Sequence, residues 1–301
     1  MISGDKNILT PGGSAYERLQ LQRSHVEKLD VYVWPQVHTW REISDVAQKN
    51  AYDVVTAQDP FWRGFLAWRI ATRMGAKLNL QVHTDLSAQN VFRRVFASAL
   101  LHRADSIRVV SKKIQKQVRL LGVRASISLL PIYIDVQEFK KLVPQPHTQK
   151  TILWIGRFEA EKDPLHAVQV LKEVRAKGVD ARLVMLGSGS LESTVRQSAQ
   201  GLPVEFPGWQ DPKSYLQTAD VVLCTSKHES WGASIVEALA SGVSVVAPDV
   251  GVAQEAGAYV VEREELSAKV VWVLIQRMRS TLRLHLPSAE EWSRHWRETL
   301  R

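Results

Sequence analysis

Short runs of apolar residues alternate along the chain with longer stretches in which apolar positions recur at helical spacing. Most of the short runs are continuous rather than alternating, as expected for strands buried on both faces of a parallel sheet. The predicted strands are Val31–Trp34, Asp53–Ala57, Leu78–His83, Ser106–Val110, Ile127–Leu130, Thr151–Ile155, Ala181–Leu186, Val204–Phe206, Val221–Cys224, Val243–Ala247 and Tyr259–Val261. Helical patterns between them include Pro60–Met74, Lys112–Leu121, Asp163–Lys177 and Ala233–Ala240. This alternation predicts an α/β fold made of doubly wound sheets.

The length of 301 residues predicts two domains. A proline-rich stretch, Val143 to His147, is the best candidate linker. We therefore expect domains at residues 1–147 and 148–285, followed by a C-terminal helix at 286–301. Trp292 and Trp296 share one face of that helix because they are four residues apart. We expect this face to pack on the body of the protein, with the first domain as a candidate partner.

Composition excludes several classes of protein. Hydrophobic residues make up 45% of the chain and charged residues 23%, which is typical of a globular protein and not of a disordered or fibrous one. No apolar stretch approaches the roughly 20 residues that span a bilayer, and we expect no signal peptide because the N-terminus is polar within five residues. The single cysteine, Cys224, excludes a disulfide framework and a cysteine zinc site, and suits a reducing, cytoplasmic compartment.

The positive charge of the chain lies in its first half. The sequence holds 39 Lys and Arg against 31 Asp and Glu, a net charge of +8. Residues 1–147 contain 21 Lys and Arg and 12 Asp and Glu, a net charge of +9. Residues 148–301 contain 18 Lys and Arg and 19 Asp and Glu, a net charge of −1. Nucleic acid, an anionic membrane surface or an anionic substrate would each account for this asymmetry, and so would a basic surface without a specific partner.

Two loops in the second half follow predicted strands and carry groups suited to phosphate. In the first loop, Arg157 and Lys162 lie five residues apart after Gly156, so that a bidentate guanidinium and an ammonium can reach one phosphate group. In the second, Gly187 and Gly189 allow the backbone to approach a ligand closely. The third glycine of a dinucleotide fingerprint is missing, which argues against nicotinamide binding. Solvated surface cations and a simple tight turn remain alternatives.

A third loop leads into a predicted helix and carries two glutamates. Backbone N–H groups of Gly232, Ala233 and Ser234 would form a helix N-terminus suited to a phosphate. Glu237, inside the helix, can accept hydrogen bonds from ribose hydroxyls, and Glu229, before it, from sugar hydroxyls. Spacing alone leaves open that Glu237 only complements the helix dipole and that Glu229 is solvated.

These residues carry a resemblance to a known family. Glu229 and Glu237, with seven residues between them, resemble the paired-glutamate signature of the family-4 retaining glycosyltransferases, the glycosyl transferases group 1 of the GT-B fold. The surrounding motifs agree in order and spacing over nearly the whole chain. They are Pro11-Gly12-Gly13, Val82-His83-Thr84-Asp85, Arg103-Ala104-Asp105-Ser106, Leu130-Pro131, Gly156-Arg157, Glu161-Lys162, Gly187-Ser188-Gly189, Phe206-Pro207-Gly208 and Gly251-Val252-Ala253-Gln254-Glu255.

The resemblance implies a fold and a set of roles. It implies two facing Rossmann-like domains with an interdomain cleft, the second holding a nucleotide-sugar donor and the first an acceptor. The implied site residues are Arg157 and Lys162 on the donor diphosphate, Glu237 on the ribose, Glu229 on the transferred sugar, Gly187, Gly232, Ala233 and Ser234 around the phosphates and sugar, Gly12 and Gly13 near the donor phosphates, and His83 beside the transferred sugar. Of these, His83, Arg157, Lys162 and Glu229 are the expected catalytic residues.

The expected reaction is hexosyl transfer to a hydroxyl acceptor with retention of configuration. No Asp-X-Asp triplet is present to bridge a divalent cation to the diphosphate. We therefore expect no metal and no cofactor besides the nucleotide-diphosphate sugar as co-substrate. Many members of the family modify lipid-linked or lipopolysaccharide acceptors at the cytoplasmic face of the membrane, so the resemblance implies a lipid-linked or cell-envelope glycan as a candidate acceptor. The alternatives are a catalytically degenerate nucleotide-sugar-binding relative and, on charge alone, a nucleic-acid-binding protein, for which no motif is present.

Two helical patterns of the basic half bear on membrane binding. Pro60–Met74 and Asn90–Arg103 both combine aromatic residues with arginines. Such helices bind anionic membrane surfaces, but helices that pack on a sheet and extend arginines into solvent have the same pattern. For Pro60–Met74 we favour packing on the sheet. For Asn90–Arg103 both interpretations stay open, and peripheral membrane association of the first domain is a hypothesis.

Overall fold

A computed structural model describes all 301 residues, which form two compact units. The first unit comprises Met1–Tyr133 together with Pro287–Arg301, and the second comprises Ile134–Leu286. Each unit is built on a six-stranded, fully parallel sheet. None of the helices combines the length and apolar character needed to cross a membrane.

The first unit has the strand order β2-β1-β3-β4-β5-β6. Its strands are β1 (Ile2–Ser3), β2 (Tyr32–Val33), β3 (Val54–Ala57), β4 (Lys77–Val82), β5 (Ser106–Val109) and β6 (Ser126–Leu129). Its helices are α1 (Ser14–Arg23), α2 (Trp40–Lys49), α3 (Trp62–Met74), α4 (Val91–Leu101) and α5 (Lys112–Leu120). Although β1 has only two residues, it pairs with both β2 and β3.

The second unit has the strand order β12-β11-β10-β7-β8-β9. After α6 (Val136–Lys140), its strands are β7 (Lys150–Ile155), β8 (Ala181–Leu186), β9 (Val204–Gly208), β10 (Val221–Leu223), β11 (Ser244–Ala247) and β12 (Tyr259–Val260). Its other helices are α7 (Pro164–Ala176), α8 (Glu192–Ser198), α9 (Pro212–Leu216), α10 (Ala233–Ala240), α11 (Ala253–Ala256) and α12 (Leu266–Gln276), the last preceded by a 3₁₀ turn at Arg263–Glu265. The predicted strands and helices are all present, with ends displaced by one or two residues.

The C-terminal helix α13 (Ala289–Glu298) belongs to the first unit and packs against α1. Trp292 and Trp296 are fully buried with Leu130, and the Trp292 indole donates to the carbonyl of Pro131 over 2.8 Å. Asn79, in the middle of the sheet, donates to the carbonyl of Thr299 just beyond the helix. Polar as well as apolar contacts therefore attach α13 to this sheet.

The division between the units differs from the predicted one. The predicted linker is hydrogen-bonded to the second unit, because Gln145 donates its backbone N–H to Gln217 and the Gln217 amide donates to the carbonyl of Val143. His147 lies 2.8 Å from the carboxylate of Asp220. The observed boundary falls between Tyr133 and Ile134. The proline-rich stretch is a loop of the second unit.

The basic excess remains in the first unit when the observed boundary is used. The first unit holds 22 Lys and Arg against 13 Asp and Glu, a net of +9, and the second holds 17 against 18, a net of −1. The asymmetry is therefore a property of the folded units and does not depend on where the chain was divided.

Candidate active site

The candidate donor-site residues of the second unit follow three neighbouring strands. Arg157 and Lys162 follow β7, Gly187 follows β8, and Glu229 follows β10. Because β10, β7 and β8 are adjacent and parallel, their carboxyl ends lie at one edge of the sheet. In open parallel sheets this edge is where ligands bind.

The loop after β7 is connected to the loop after β10 by an ion pair. The ammonium of Lys162 donates to the carboxylate of Glu229, and both side chains are largely buried. The hydroxyl of Ser226 donates to the same Glu229 oxygen over 2.8 Å. Glu229 is therefore held by two donors, and the Lys162 ammonium is held by the Glu229 carboxylate.

Arg157 is arranged differently. Its guanidinium pairs with Glu161 over 2.6 Å, and both side chains are largely exposed. An exposed pair of this kind contributes about 0–1 kcal/mol. Separating Arg157 from Glu161 to bind an anion would therefore cost little free energy, whereas the Lys162 ammonium is held by the largely buried Glu229.

Glycines bring the backbone of these loops close together. A Cβ added at Gly187, where φ is +135°, would lie 1.8 Å from the carbonyl oxygen of Gly156. A Cβ at Gly251, where φ is +54°, would lie 2.3 Å from the carbonyl oxygen of Trp231. The resemblance named the first glycine as a donor residue, and the structure adds that both are required for the strand-end loops to pack.

The start of α10 carries the remaining candidate residues of the second unit. Gly232, with φ of +93°, is the N-terminal cap of this helix, and no side chain caps the helix at this end. Ala233 and Ser234 are its first two residues, and Glu237 lies in its second turn, half-buried. The first N–H groups of the helix are thus available to an anion, near the loop that holds Glu229.

Sequence reasoning missed three residues that hold the Lys162 loop. The buried hydroxyl of Thr225 accepts from the Trp154 indole and lies 2.9 Å from the carbonyls of Lys162 and Asp163. Arg263 donates to the carbonyl of Thr225 and to the carboxylate of Asp163, both over 2.6 Å. Asp163 has a left-handed backbone, with φ of +48°. Nothing in the sequence around Thr225 or Arg263 indicates that these residues hold the Lys162 loop, because Thr225 simply follows a strand and Arg263 lies in a distant acidic segment.

The other predicted residues lie in the first unit. Gly13 caps the N-terminus of α1, and Gly12 precedes it with φ of +86°. His83 follows β4 and borders a cavity that α1 also borders through Ala15 and Arg18. Burial, with the neighbouring Arg108 and Arg18 charges, lowers the pKa of the His83 imidazole to about 3. The ring is therefore neutral at pH 7, which suits a hydrogen-bonding role on a sugar better than that of a cationic acid.

Comparison with known proteins identifies the family of the chain. A family model described as "Glycosyl transferase 4-like domain" matches residues 5–132, and one described as "Glycosyl transferases group 1" matches residues 149–276. The chain belongs to the family-4, group 1 glycosyltransferases of the GT-B fold.

This chain aligns with only part of the length of its curated relatives. A GDP-mannose-dependent alpha-(1-6)-phosphatidylinositol dimannoside mannosyltransferase of Mycobacterium tuberculosis is 31% identical over 139 residues, which are 43% of this chain and 36% of the relative. The sulfoquinovosyl transferase SQD2 of Arabidopsis thaliana is 25% identical over 236 residues, 70% of this chain and 45% of the relative. The chain thus spans between a third and a half of these relatives.

Solved structures share the fold. The Anabaena HepE structure, in complex with UDP and glucose, superposes with a TM-score of 0.72 over 99% of this chain and 98% of that one, at 15% identity. The Staphylococcus aureus TarM structure gives a TM-score of 0.67 over 88% of this chain and 55% of that one, at 16% identity. At this identity the likeness establishes the GT-B architecture alone.

Proposed function

We propose that this glycosyltransferase moves a hexosyl group from a nucleotide-diphosphate sugar to a hydroxyl of a glycan or lipid-linked acceptor, with retention and without a metal ion. The observation that carries the proposal is the pairing of Lys162 with Glu229 beside the uncapped N-terminus of α10. It combines a cation and helix N–H groups for a diphosphate with a carboxylate for sugar hydroxyls. Membership of the family supports the sugar-transfer chemistry.

In this proposal each donor-site residue has one role. Arg157 and Lys162 bind the diphosphate, Glu237 the ribose and Glu229 the hydroxyls of the transferred sugar. The backbone from Gly232 to Ser234 contacts the phosphate and sugar. The backbone at Gly187, which packs on Gly156, approaches the diphosphate at the strand end. For the first unit the proposal follows the family resemblance, which assigns Gly12 and Gly13 to the donor phosphates and His83 to the transferred sugar.

The proposed step needs charge stabilisation more than it needs a base. The bond between the anomeric carbon and the phosphate oxygen breaks while the acceptor oxygen bonds to the same face of that carbon. The departing phosphate oxygen takes the acceptor proton, so the products are a glycoside and a nucleoside diphosphate. Arg157, Lys162 and the start of α10 stabilise the charge that develops on the diphosphate. These groups provide the stabilisation that a divalent cation gives in other transferases.

The acceptor is proposed to lie at an anionic membrane. The first turns of α4 expose Val91, Phe92 and Val95 to 68, 87 and 65%, and Trp62 of α3 is 65% exposed. The rings of Trp62 and Phe96 lie 5.2 Å apart, so the apolar surface is continuous between the two helices. Exposed Arg93 and Arg94 lie within it. An apolar surface with cations suits lipid with an anionic headgroup.

The opposite faces of α3 and α4 are buried, as predicted for the helix at Pro60–Met74. Leu66, Ala67 and Ile70 of α3 are buried, as are Ala97, Leu100 and Leu101 of α4. Packing on the sheet therefore accounts for most of α3. The exposed start of α4 supports the membrane interpretation of that segment, which the sequence pattern left undecided.

A panel of nucleotides tests the donor side directly. Thermal unfolding of the purified chain with UDP, GDP and ADP should show a rise in midpoint for the matching base, because a ligand that binds only the folded state stabilises it. The matching sugar nucleotide should then be hydrolysed slowly, with release of the α-anomer detectable by NMR. Nucleotide binding without turnover would identify a catalytically degenerate relative. The absence of any nucleotide response would contradict the proposal.

A further inference from the structure

A groove of about 850 Å³ lies between α2 and α3 of the first unit. This volume is within the range of roughly 300–1,000 Å³ that is usual for small-molecule sites. The groove is bordered by residues 50–52, which precede β3, and by Met74, which precedes β4. His83 follows β4 at the other end of that strand and does not border the groove. The groove is therefore not part of the candidate active site.

The face of α2 that borders the groove carries no charge. Its residues recur at the spacing of one helix face and are Trp40, Ser44, Ala47 and Gln48. The acidic residues of α2, Glu42 and Asp45, are exposed and do not border the groove. The Glu42 carboxylate is already bound by the backbone and the hydroxyl of Thr39. α2 therefore provides no acidic partner for a cation in the groove.

α3 provides two arginines to the same groove. Arg69 and Arg73 both border it and are exposed. α3 contains no acidic residue and none borders the groove, so these two arginines form no ion pair there, whereas Arg63 of the same helix pairs with Asp59. Because Arg69 and Arg73 are four residues apart, their like charges lie on one side of the helix and repel each other. The helix dipole favours Arg73, in the last turn, but does not account for Arg69.

Two tryptophans border the groove together with the arginines. Trp40 is 43% exposed and Trp68 is half-buried. The ring of Trp68 lies 5.7 Å from that of Phe65, which lies 6.1 Å from the ring of the exposed Trp62. This row of aromatic rings along α3 connects the groove to the apolar surface at the start of α4. Tryptophan is enriched at the level of lipid headgroups, where one side of the ring is apolar and the other is wet.

We propose that the groove between α2 and α3 binds the headgroup of one anionic phospholipid. The phosphodiester lies between Arg69 and Arg73, and the glycerol backbone with the adjoining acyl carbons lies against Trp40 and Trp68. The inference deepens the proposed function, because it rests on association of the first unit with an anionic membrane. It adds a discrete lipid site to the general attraction between a basic surface and an anionic bilayer.

The composition of the groove favours a phospholipid over other anions. A phosphodiester forms charge-assisted hydrogen bonds with guanidinium groups, and its negative charge offsets the repulsion between Arg69 and Arg73. Inorganic phosphate would leave the indole rings of Trp40 and Trp68 in water. A zwitterionic lipid would bring its own cation close to the two arginines. The aromatic row to the surface of α4 favours a lipid over an acidic peptide.

A monomeric lipid tests the groove without a bilayer. We would titrate dihexanoyl phosphatidylglycerol, below the concentration at which it forms micelles, into the full chain and follow binding by calorimetry and ³¹P NMR. One lipid should bind saturably, and Arg69→Gln/Arg73→Gln should weaken this binding by roughly tenfold or more, because both cations near the headgroup are lost. Arg119→Gln/Arg124→Gln removes the same charge at two exposed arginines outside the groove and should change nothing. Absence of saturable binding, or equal affinity in the two double variants, would overturn the inference.

Other ligands identify the occupant. Dihexanoyl phosphatidylcholine, inorganic phosphate and a hexaglutamate peptide should each bind at least tenfold more weakly than dihexanoyl phosphatidylglycerol. Trp40→Ala should weaken lipid binding and leave phosphate binding unchanged, because it removes part of the apolar wall. Phosphate that binds as tightly as the lipid would indicate a simple anion site, and tight binding of the peptide would indicate a protein partner. Either result would overturn the assignment to a lipid.

Vesicles separate this inference from the proposed function. Phe92→Ser should reduce co-sedimentation with phosphatidylglycerol vesicles and leave binding of the monomeric lipid unchanged, because Phe92 lies outside the groove. Vesicle binding that depends on Phe92, without any binding of the monomeric lipid, would overturn the groove site and leave the membrane proposal intact. Binding of the monomeric lipid, with vesicle binding that ignores anionic lipid, would support the groove site and refute the membrane proposal. Neither measurement requires a nucleotide, so both are independent of the donor site.

Discussion

The ammonium of Lys162 and the carboxylate of Glu229 form an ion pair although 67 positions separate them in the chain. The contact joins the loop after β7 to the loop after β10, which leads into α10. Each side chain neutralises the other in a largely buried setting. The pair therefore matters for the stability of the loops as well as for the proposed binding of the donor.

Removing the Lys162 side chain should destabilise the protein, because it leaves the largely buried Glu229 carboxylate without its ion-pair partner. Lys162→Ala leaves Glu229 with only Ser226 as a side-chain donor, and we expect a loss of about 1–3 kcal/mol in the free energy of unfolding. Urea unfolding measures this. The double variant Lys162→Ala/Glu229→Gln should lose less than the sum of the two single variants, and strict additivity would show that the two groups do not interact.

Glu237→Gln should weaken binding of the matching nucleotide. The loss of a charge-assisted hydrogen bond to the ribose corresponds to about 1.5–3 kcal/mol, or roughly a ten- to hundredfold rise in Kd. Isothermal titration calorimetry gives this value. Glu264→Gln, at an exposed glutamate before α12, is the matched control, and equal affinity in both variants would remove Glu237 from the site.

Gly187→Ala should be far more damaging than Gly178→Ala. Both positions have positive φ, but a Cβ at Gly187 would collide with the carbonyl of Gly156, whereas nothing lies within 4 Å of a Cβ at Gly178. We expect about 1–2 kcal/mol at Gly178 from backbone strain alone and a larger loss at Gly187. Chemical unfolding of the two variants tests the comparison, and similar losses would mean that the close approach of the loops is not required.

Acid should destabilise the protein partly through His83. The pKa of His83 in the folded state is about 3, below its unfolded value near 6.5. Between these values the unfolded chain binds a proton that the folded chain does not, so stability falls as the pH decreases from 6.5 toward 3 and is unaffected by this group above 6.5. His83→Asn should flatten that part of the stability profile. His102→Asn, at an exposed histidine, should leave the profile as in the wild type.

The exposed start of α4 should control binding to anionic vesicles. Phe92→Ser removes the most exposed apolar side chain of the surface, and Arg93→Gln/Arg94→Gln removes about 1 kcal/mol per cation near the lipid. Each change should reduce co-sedimentation with vesicles containing phosphatidylglycerol several-fold. Trp209→Ala, at an exposed aromatic residue of the second unit, is the control. Binding that does not depend on anionic lipid would refute the membrane proposal.

The strands and the donor loops could be predicted from the sequence because their signals are local. A continuous apolar run followed by glycine and charged residues marks the carboxyl end of a buried strand, and parallel pairing then brings such ends together. Gly187, Arg157 and Glu229 follow neighbouring strands for this reason. The roles of these residues came from the family resemblance and remain proposals.

The sequence by itself determined two parallel α/β sheets, the excess of positive charge in the first part and the order of the donor motifs. Only the tertiary structure decided the boundary after Tyr133, the burial of Trp292 on the first unit, the hydrogen bonds of Thr225 and Arg263 around Lys162, and the cavity beside Arg108. These features depend on side chains distant in the chain that meet in the fold. An arginine inside an apolar strand has no pattern that reveals what it will face, because burial and partners are set by packing and not by neighbours in sequence.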